Sequence, residues 1–235
     1  MGGGTGFSFS KLRPADDMLS TTGGKASGPV SFMRIYDAAT ENIRQGGRRR
    51  GANMGVLRVD HPDIEAFIRA KQDGKSLRNF NLSVGATDEF MSAVDRDASY
   101  DLRHPADARR VGHRRARDIF RDICHAAWET GDPGLVFLDT IERGNPVPSL
   151  GRMESTNPCG ELPLLPNESC NLGSINLPHF VRESGGRRIL DWDRLQATTH
   201  AAVRFLDDVV TVNQYPTDAI ARVTLGNRKI GLGVM

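Results

Sequence analysis

Apolar residues recur along this chain with two periods, one near 3.6 residues and one of 2, and the two alternate. Residues 30–45 carry Val30, Met33, Ala38 and Ile43 on one stripe and stop at Gly46-Gly47, a helix with a glycine terminator. Residues 54–59 read as a short strand. Pro62 opens a second helix at a first-turn position, with Ile64, Phe67 and Ile68 on one face and an end near Gly74. Residues 80–84 alternate apolar and polar, and Thr87-Asp88-Glu89 caps a helix running to Val94. A longer helix spans 114–130 through Ile119, Phe120, Ile123, Ala127 and Trp128, closed by Gly131. Residues 135–138 and 172–177 are strands, 191–212 an amphipathic helix, a shorter helix follows Pro216, and 229–235 is an apolar strand. Strands separated by helices imply an α/β fold with a mainly parallel sheet. Residues 139–171, rich in Pro, Gly, Asn and Ser, form a loop whose length marks it as functional.

Composition narrows the class without naming it. Hydrophobic residues make up 38% and aromatics 6% of the 235 residues, which suits a domain whose surface is mostly polar loops or a fragment whose core is completed elsewhere. The net charge of +2 argues against nucleic-acid or membrane binding driven by a global field. Basic residues cluster at Arg48-Arg49-Arg50 and over 109–117, and the second cluster reads as a solvated surface. The three cysteines cannot build a disulfide framework, so a reducing, cytoplasmic setting is expected. No apolar run approaches the roughly 18 residues of a membrane span. The last strand ends at the terminus, and the chain reads as truncated.

The candidate chemistry lies in Asn157-Pro158-Cys159-Gly160-Glu161. In an extended stretch, residues two apart point the same way, so an amide, a thiol and a carboxylate would project side by side. That set combines an orienting hydrogen bonder, a sulfur reactant and a general base. A buried structural cysteine is the competing reading, and it is the one favoured for Cys124, mid-helix. Cys159 and Cys170 lack the close pairing of structural zinc, and no metal site is expected.

The segment 157–177, with its second cysteine before Asn171-Leu172-Gly173-Ser174-Ile175-Asn176-Leu177, resembles the finger loop of ribonucleotide reductase large subunits of the adenosylcobalamin-dependent class II form. The likeness extends to Gly46-Gly47-Arg48-Arg49-Arg50-Gly51-Ala52-Asn53, Asn79-Phe80-Asn81-Leu82-Ser83-Val84, Val203-Arg204-Phe205-Leu206-Asp207 and Asn227-Arg228-Lys229-Ile230-Gly231-Leu232-Gly233-Val234-Met235. It covers nearly the whole chain and is weakest over 99–117.

The resemblance implies part of a ten-stranded α/β barrel, with a finger loop at about 156–171 threading its centre and specificity loops at about 20–28 and 46–55. It implies that Cys159 becomes a thiyl radical that takes the ribose 3′ hydrogen. Glu161 accepts the 3′-hydroxyl proton, Asn157 holds the ribose, and Cys170 is one member of the redox pair. Pro158 and Gly160 would also line the substrate site, and Gly4 matches a glycine whose backbone approaches the substrate. Arg13, Gly47, Arg48, Arg49, Arg50 and Gly51 would serve the effector site. The implied cofactor is adenosylcobalamin. Implied partners are a ribonucleoside di- or triphosphate, deoxynucleotide or ATP effectors, a thioredoxin-type dithiol and a second subunit in a homodimer. The other redox cysteine and the substrate phosphate site would lie outside this chain, which alone is not expected to turn over. A class I large subunit, radicalised by a separate metal subunit, is the alternative enzyme; a nucleotide-binding module without turnover is the alternative class. The Asn-Pro-Cys-Gly-Glu run and the step from Cys159 to Cys170 favour class II.

Overall fold

The structure, a computed structural model, describes residues 3–19, 23–42 and 51–235. These form two compact units, divided after Leu165. In the first, the elements are β1 (Gly4–Ser8), α1 (Gly28–Asn42), β2 (Ala52–Arg58), α2 (Ile64–Ile68), β3 (Phe80–Ala86), α3 (Asp88–Asp95), β4 (Ser99–Arg103), β5 (Arg110–Arg115), α4 (Ala116–Thr130), β6 (Gly134–Phe137), α5 (Leu138–Arg143), β7 (Ser155–Thr156) and β8 (Pro163–Leu164). The second holds β9 (Asn171–Ile175), β10 (Val181–Ser184), β11 (Arg187–Leu190), α6 (Trp192–Val212), α7 (Asp218–Asn227) and β12 (Ile230–Val234).

The first unit is built on one sheet of order β1-β2-β3-β6, parallel throughout. Strand alternation gives its two faces different characters. One carries Leu57, Phe80, Leu82, Val84 and Ala86, which pack with Met33, Ile64, Phe67, Phe90, Ile119 and Ile123 of the helices into one buried cluster. Removing that apolar area from water is the main stabilisation, about 25 cal/mol per Å². The other face carries Gly4, Gly6, Ala52, Met54, Asn81 and Ser83, small or polar in the main. In the second unit β9 and β12 pair in parallel, and α6 packs on both.

The expected α/β class with parallel strands is therefore present, with helices where 30–45, 114–130 and 191–212 were expected to form them, while the helix expected from Pro62 to near Gly74 is only the five-residue α2. Several local readings need correction. A strand, β1, occupies the glycine-rich start, where periodicity was silent. The charged span 99–115 is an antiparallel hairpin, so Arg114 and Arg115 end β5 and α4 begins at Ala116. A second hairpin, β10–β11, separates β9 from α6. Residues 139–171 are not all loop, because α5 and the β7–β8 hairpin fall within them. The glycine stop at Gly46-Gly47 lies outside the described residues. Among the described residues no helix is long and apolar enough to cross a membrane.

The basic cluster at 109–117 is an ion-paired surface rather than a free one. Arg110 meets Asp101 at 2.9 Å, Arg114 meets Glu65 at 2.5 Å, and Arg115 pairs with Asp97. Arg117 donates to the Val94 and Asp95 carbonyls, each at 2.8 Å, closing the C-terminus of α3.

His61 is 2% exposed and fastens the segment after β1. Its Nδ1 accepts the Asp63 amide at 3.0 Å, so the proton resides on Nε2, which donates to the Leu12 carbonyl at 2.9 Å. Burial holds the imidazole below its ordinary value and keeps it neutral. A histidine depressed in the fold contributes stability that is present above the unfolded value, about 6.5, and is lost as pH falls below it. Hydrogen exchange at the Asp63 amide, corrected for intrinsic rate, should quicken below about pH 6.5. His61→Gln should flatten that pH dependence, and a profile unchanged by the substitution would refute the assignment.

Candidate functional site

The finger-loop signature folds as a tight hairpin. β7 and β8 pair Ser155 with Leu164 and Thr156 with Pro163, and the Asn157 amide donates to the Leu162 carbonyl at 3.2 Å. Within it the Gly160 amide donates to the Asn157 carbonyl at 3.0 Å, closing a four-residue turn from 157 to 160. Gly160 takes φ +88°, a left-handed conformation that side chains resist. Asn157 Oδ1 accepts the Leu162 amide at 3.0 Å, and Thr156 Oγ1 donates to the Asn157 carbonyl at 2.9 Å.

This corrects the extended geometry expected from the sequence. Asn157, Cys159 and Glu161 do not alternate along a strand; they follow one another around a turn whose ends are tied by the Asn157 side chain. Cys159 is at the crest and exposed, Glu161 is exposed beside it, and Pro158 and Gly160 are half-buried beneath.

The glycine-rich strand makes room for this turn. A Cβ on Gly4 would lie 2.2 Å from Pro158 Cγ, and one on Gly6 would lie 1.8 Å from the Thr156 carbonyl oxygen. Both distances are far inside van der Waals contact, so the hairpin rests directly on the β1 backbone. Gly4 is thus placed beside the cysteine turn, while Gly6, which motif reading passed over, is the closer contact. Asn81 of β3 donates from Nδ2 to the Pro158 carbonyl at 2.7 Å. Met54 Cε lies 3.9 Å from where a Gly160 Cβ would be.

Cys170 belongs to the second unit and is half-buried. The residues before it are strongly anchored. Glu168, with its side chain fully buried, pairs with Lys229 Nζ at 2.7 Å and accepts from Asn227 Nδ2 at 2.8 Å. Ser169 donates its amide to Thr224 Oγ1 at 3.1 Å, and the two hydroxyls lie 2.9 Å apart. Removing one partner of such a pair leaves a buried charge uncompensated, at about 3–5 kcal/mol. Lys229→Met should therefore loosen β9 and α7, seen as faster amide exchange around Asn171, and the further change Glu168→Gln should restore part of the protection. No change in exchange would show the pair to be idle.

The remaining expected residues separate. Arg13 is exposed on the segment after β1, and Gly51 is buried just ahead of β2. Gly47, Arg48, Arg49 and Arg50 lie outside the described residues, as do 20–22 of the first specificity loop. In the rest of that loop Lys25 forms an antiparallel bridge to Met18, which precedes the loop. Cys124 is exposed on α4, not buried as its mid-helix position suggested.

Comparison with known proteins bears on this arrangement. The family profile "Ribonucleotide reductase, barrel domain" matches residues 1–235. A vitamin B12-dependent ribonucleoside-diphosphate reductase of Thermoplasma acidophilum is 56% identical over 235 residues, all of this chain and 30% of that protein. One from Mycobacterium tuberculosis is also 56% identical, with 33% of its length covered. A vitamin B12-dependent ribonucleotide reductase of Streptomyces clavuligerus is 37% identical over 257 residues, covering 99% of this chain and 27% of that protein. The chain spans about a third of the length of the curated relatives it matches.

Proposed function

The chain belongs to the ribonucleotide reductase barrel-domain family, and on that premise we propose that it forms part of a vitamin B12-dependent enzyme reducing ribonucleotides to 2′-deoxyribonucleotides. The observation that carries the proposal is the presentation of Cys159: exposed, at the crest of a tethered turn, on the small and polar face of a parallel sheet. A sulfur held that way can reach a ribose, while the opposite face of the sheet is committed to core.

In this reading Cys159, as a thiyl radical, removes the ribose 3′ hydrogen. Glu161 takes the 3′-hydroxyl proton, and Asn157, whose Oδ1 is committed to the Leu162 amide, offers its Nδ2 to the ribose. The 2′-hydroxyl leaves as water, with Cys170 and a second thiol supplying two protons and two electrons as they close to a disulfide. Glu161 returns its proton to the 3′ oxygen, and Cys159 returns the hydrogen to the 3′ carbon and is again the thiyl radical. Gly4, Pro158 and Gly160 line the substrate position. Bound adenosylcobalamin would supply the one-electron chemistry that oxidises the thiol. The exposed crest suits the approach of so large a group.

The effector reading places deoxynucleotide or ATP against Arg13, Gly47, Arg48, Arg49, Arg50 and Gly51, coupling effector identity to substrate choice. A thioredoxin-type dithiol would restore the cysteine pair, in a cytoplasmic homodimer.

The test is a reductase assay on the full-length protein with a dithiol reductant, with and without adenosylcobalamin. Deoxynucleotide formation only in its presence is expected. Activity indifferent to adenosylcobalamin would refute the cofactor assignment.

A further inference from the structure

Asn81 is a polar residue in the wrong place by propensity. Asparagine is disfavoured in strands, and β3 lies inside the sheet, with Asn81 paired to Met54 of β2 and β6 joining the other edge from Ser83 onward. Its side chain is exposed, so burial gives no reason for it. What it does is reach across the sheet face to the cysteine turn, donating from Nδ2 to the Pro158 carbonyl at 2.7 Å, 77 residues away.

The register shows how the turn is seated. Gly6, Met54 and Asn81 are consecutive partners across β1, β2 and β3, a single row on the small-residue face. The Thr156 carbonyl lies over Gly6, the Gly160 position lies over Met54, and the Pro158 carbonyl takes the bond from Asn81. The row is therefore a three-point seat, whose first two points are steric and whose third is directional.

The directional point matters most for Cys159. The ring of Pro158 fixes its own φ. With its carbonyl also held, the plane of the Pro158–Cys159 peptide is set, and with it the starting direction of the cysteine. The Gly160-to-Asn157 bond sets the other side of the turn. A side chain without a donor at position 81 would leave the peptide plane free to rotate, and the sulfur would move with it.

We propose that Asn81 is a positioning residue for the radical reaction, orienting the Cys159 thiol through the Pro158 carbonyl. The proposal rests on the reading of Cys159 given above. It assigns Asn81 no contact with substrate, and so separates its role from those of Asn157 and Glu161.

The experiment uses full-length enzyme carrying Asn81→Leu, close in size but without a donor, and Asn81→Asp, nearly isosteric but with an acceptor facing the carbonyl. Asn81→Gln, which keeps the donor on a longer arm, is the rescue variant. Misplacement on the scale of 1 Å costs about 100-fold in rate, so kcat should fall about 10- to 100-fold in the first two variants. KM should stay within about twofold, since ground-state binding is not the interaction removed. Asn81→Gln should recover part of kcat. Independently of turnover, the alkylation rate of Cys159 by iodoacetamide, followed by mass spectrometry, should change in Asn81→Leu and Asn81→Asp while that of Cys124 does not.

Unchanged kcat and Cys159 alkylation would overturn the proposal. A rise in KM with kcat intact would overturn it in favour of direct substrate contact, and equal changes at Cys124 would overturn it in favour of general loosening. Failure of the underlying reading looks different: the wild-type enzyme would be inactive with adenosylcobalamin, or Cys159→Ser would be active. The alkylation comparison would still decide what Asn81 does to the thiol.

Discussion

Cys159→Ser should abolish deoxynucleotide formation by the full-length protein, a loss of at least about 10³-fold, the scale on which removal of a covalent or radical centre acts. Serine keeps the size and the turn, because neither the Gly160-to-Asn157 bond nor the Asn157 side-chain tie involves the cysteine sulfur. What is lost is a bond weak enough to break and reform. An O–H group does not exchange a hydrogen with a ribose carbon as an S–H group does. Substrate affinity should remain, measured by equilibrium binding of the ribonucleotide to the variant. Cys124→Ser is the matched control, since that thiol is on the exposed surface of α4, and its turnover should equal wild type. Full activity in Cys159→Ser would remove the mechanism.

Gly6→Ala should be the second most damaging single change, although it adds only one methyl group. The added Cβ would stand 1.8 Å from the Thr156 carbonyl oxygen and 2.9 Å from its carbon. The obstacle is backbone, which cannot swing aside as a side-chain tip can, so either β1 or the hairpin must move by an ångström or more. Displacement of that size at a reacting atom costs about 100-fold in kcat. Gly4→Ala meets the Pro158 ring at 2.2 Å and should act in the same direction. At Gly3, one residue earlier, an added Cβ would have nothing within 4 Å, and Gly3→Ala should be silent. Comparing kcat across the three variants tests the seat itself: equal effects at Gly3 and Gly6 would show that the hairpin does not depend on a bare strand.

What the sequence made legible follows from how local each signal is. Met33, Ile64, Phe67, Ile68, Ile119 and Ile123, each on the apolar stripe of its own helix, are core residues, because an amphipathic helix writes its buried face into a few consecutive turns, although Trp128, read onto the same face as Ile119, is exposed. The Asn-Pro-Cys-Gly-Glu run was visible as chemistry because the amide, thiol and carboxylate are neighbours in the chain. Its shape was not visible. Alternation in an extended strand was the natural expectation, and a left-handed Gly160 together with the Asn157 tie overrides it.

The misses share one cause, partners distant in sequence. β1 was hidden because glycines carry no hydrophobic period, yet those glycines are needed by residues about 150 positions later. The β4–β5 hairpin was hidden because Arg114 and Arg115 find carboxylates outside it, at Glu65 and Asp97, so a polar segment folds through ion pairs. Asn81 and Lys229 carry no local mark of their roles beside Pro158 and Glu168.

The most direct test is electron paramagnetic resonance on full-length protein frozen rapidly after mixing with adenosylcobalamin and ribonucleotide. The account predicts a paramagnetic signal that changes when the cysteines carry deuterium at Cβ, that persists in Cys170→Ser and that is absent in Cys159→Ser. A cysteine-derived signal of undiminished strength in Cys159→Ser would contradict it.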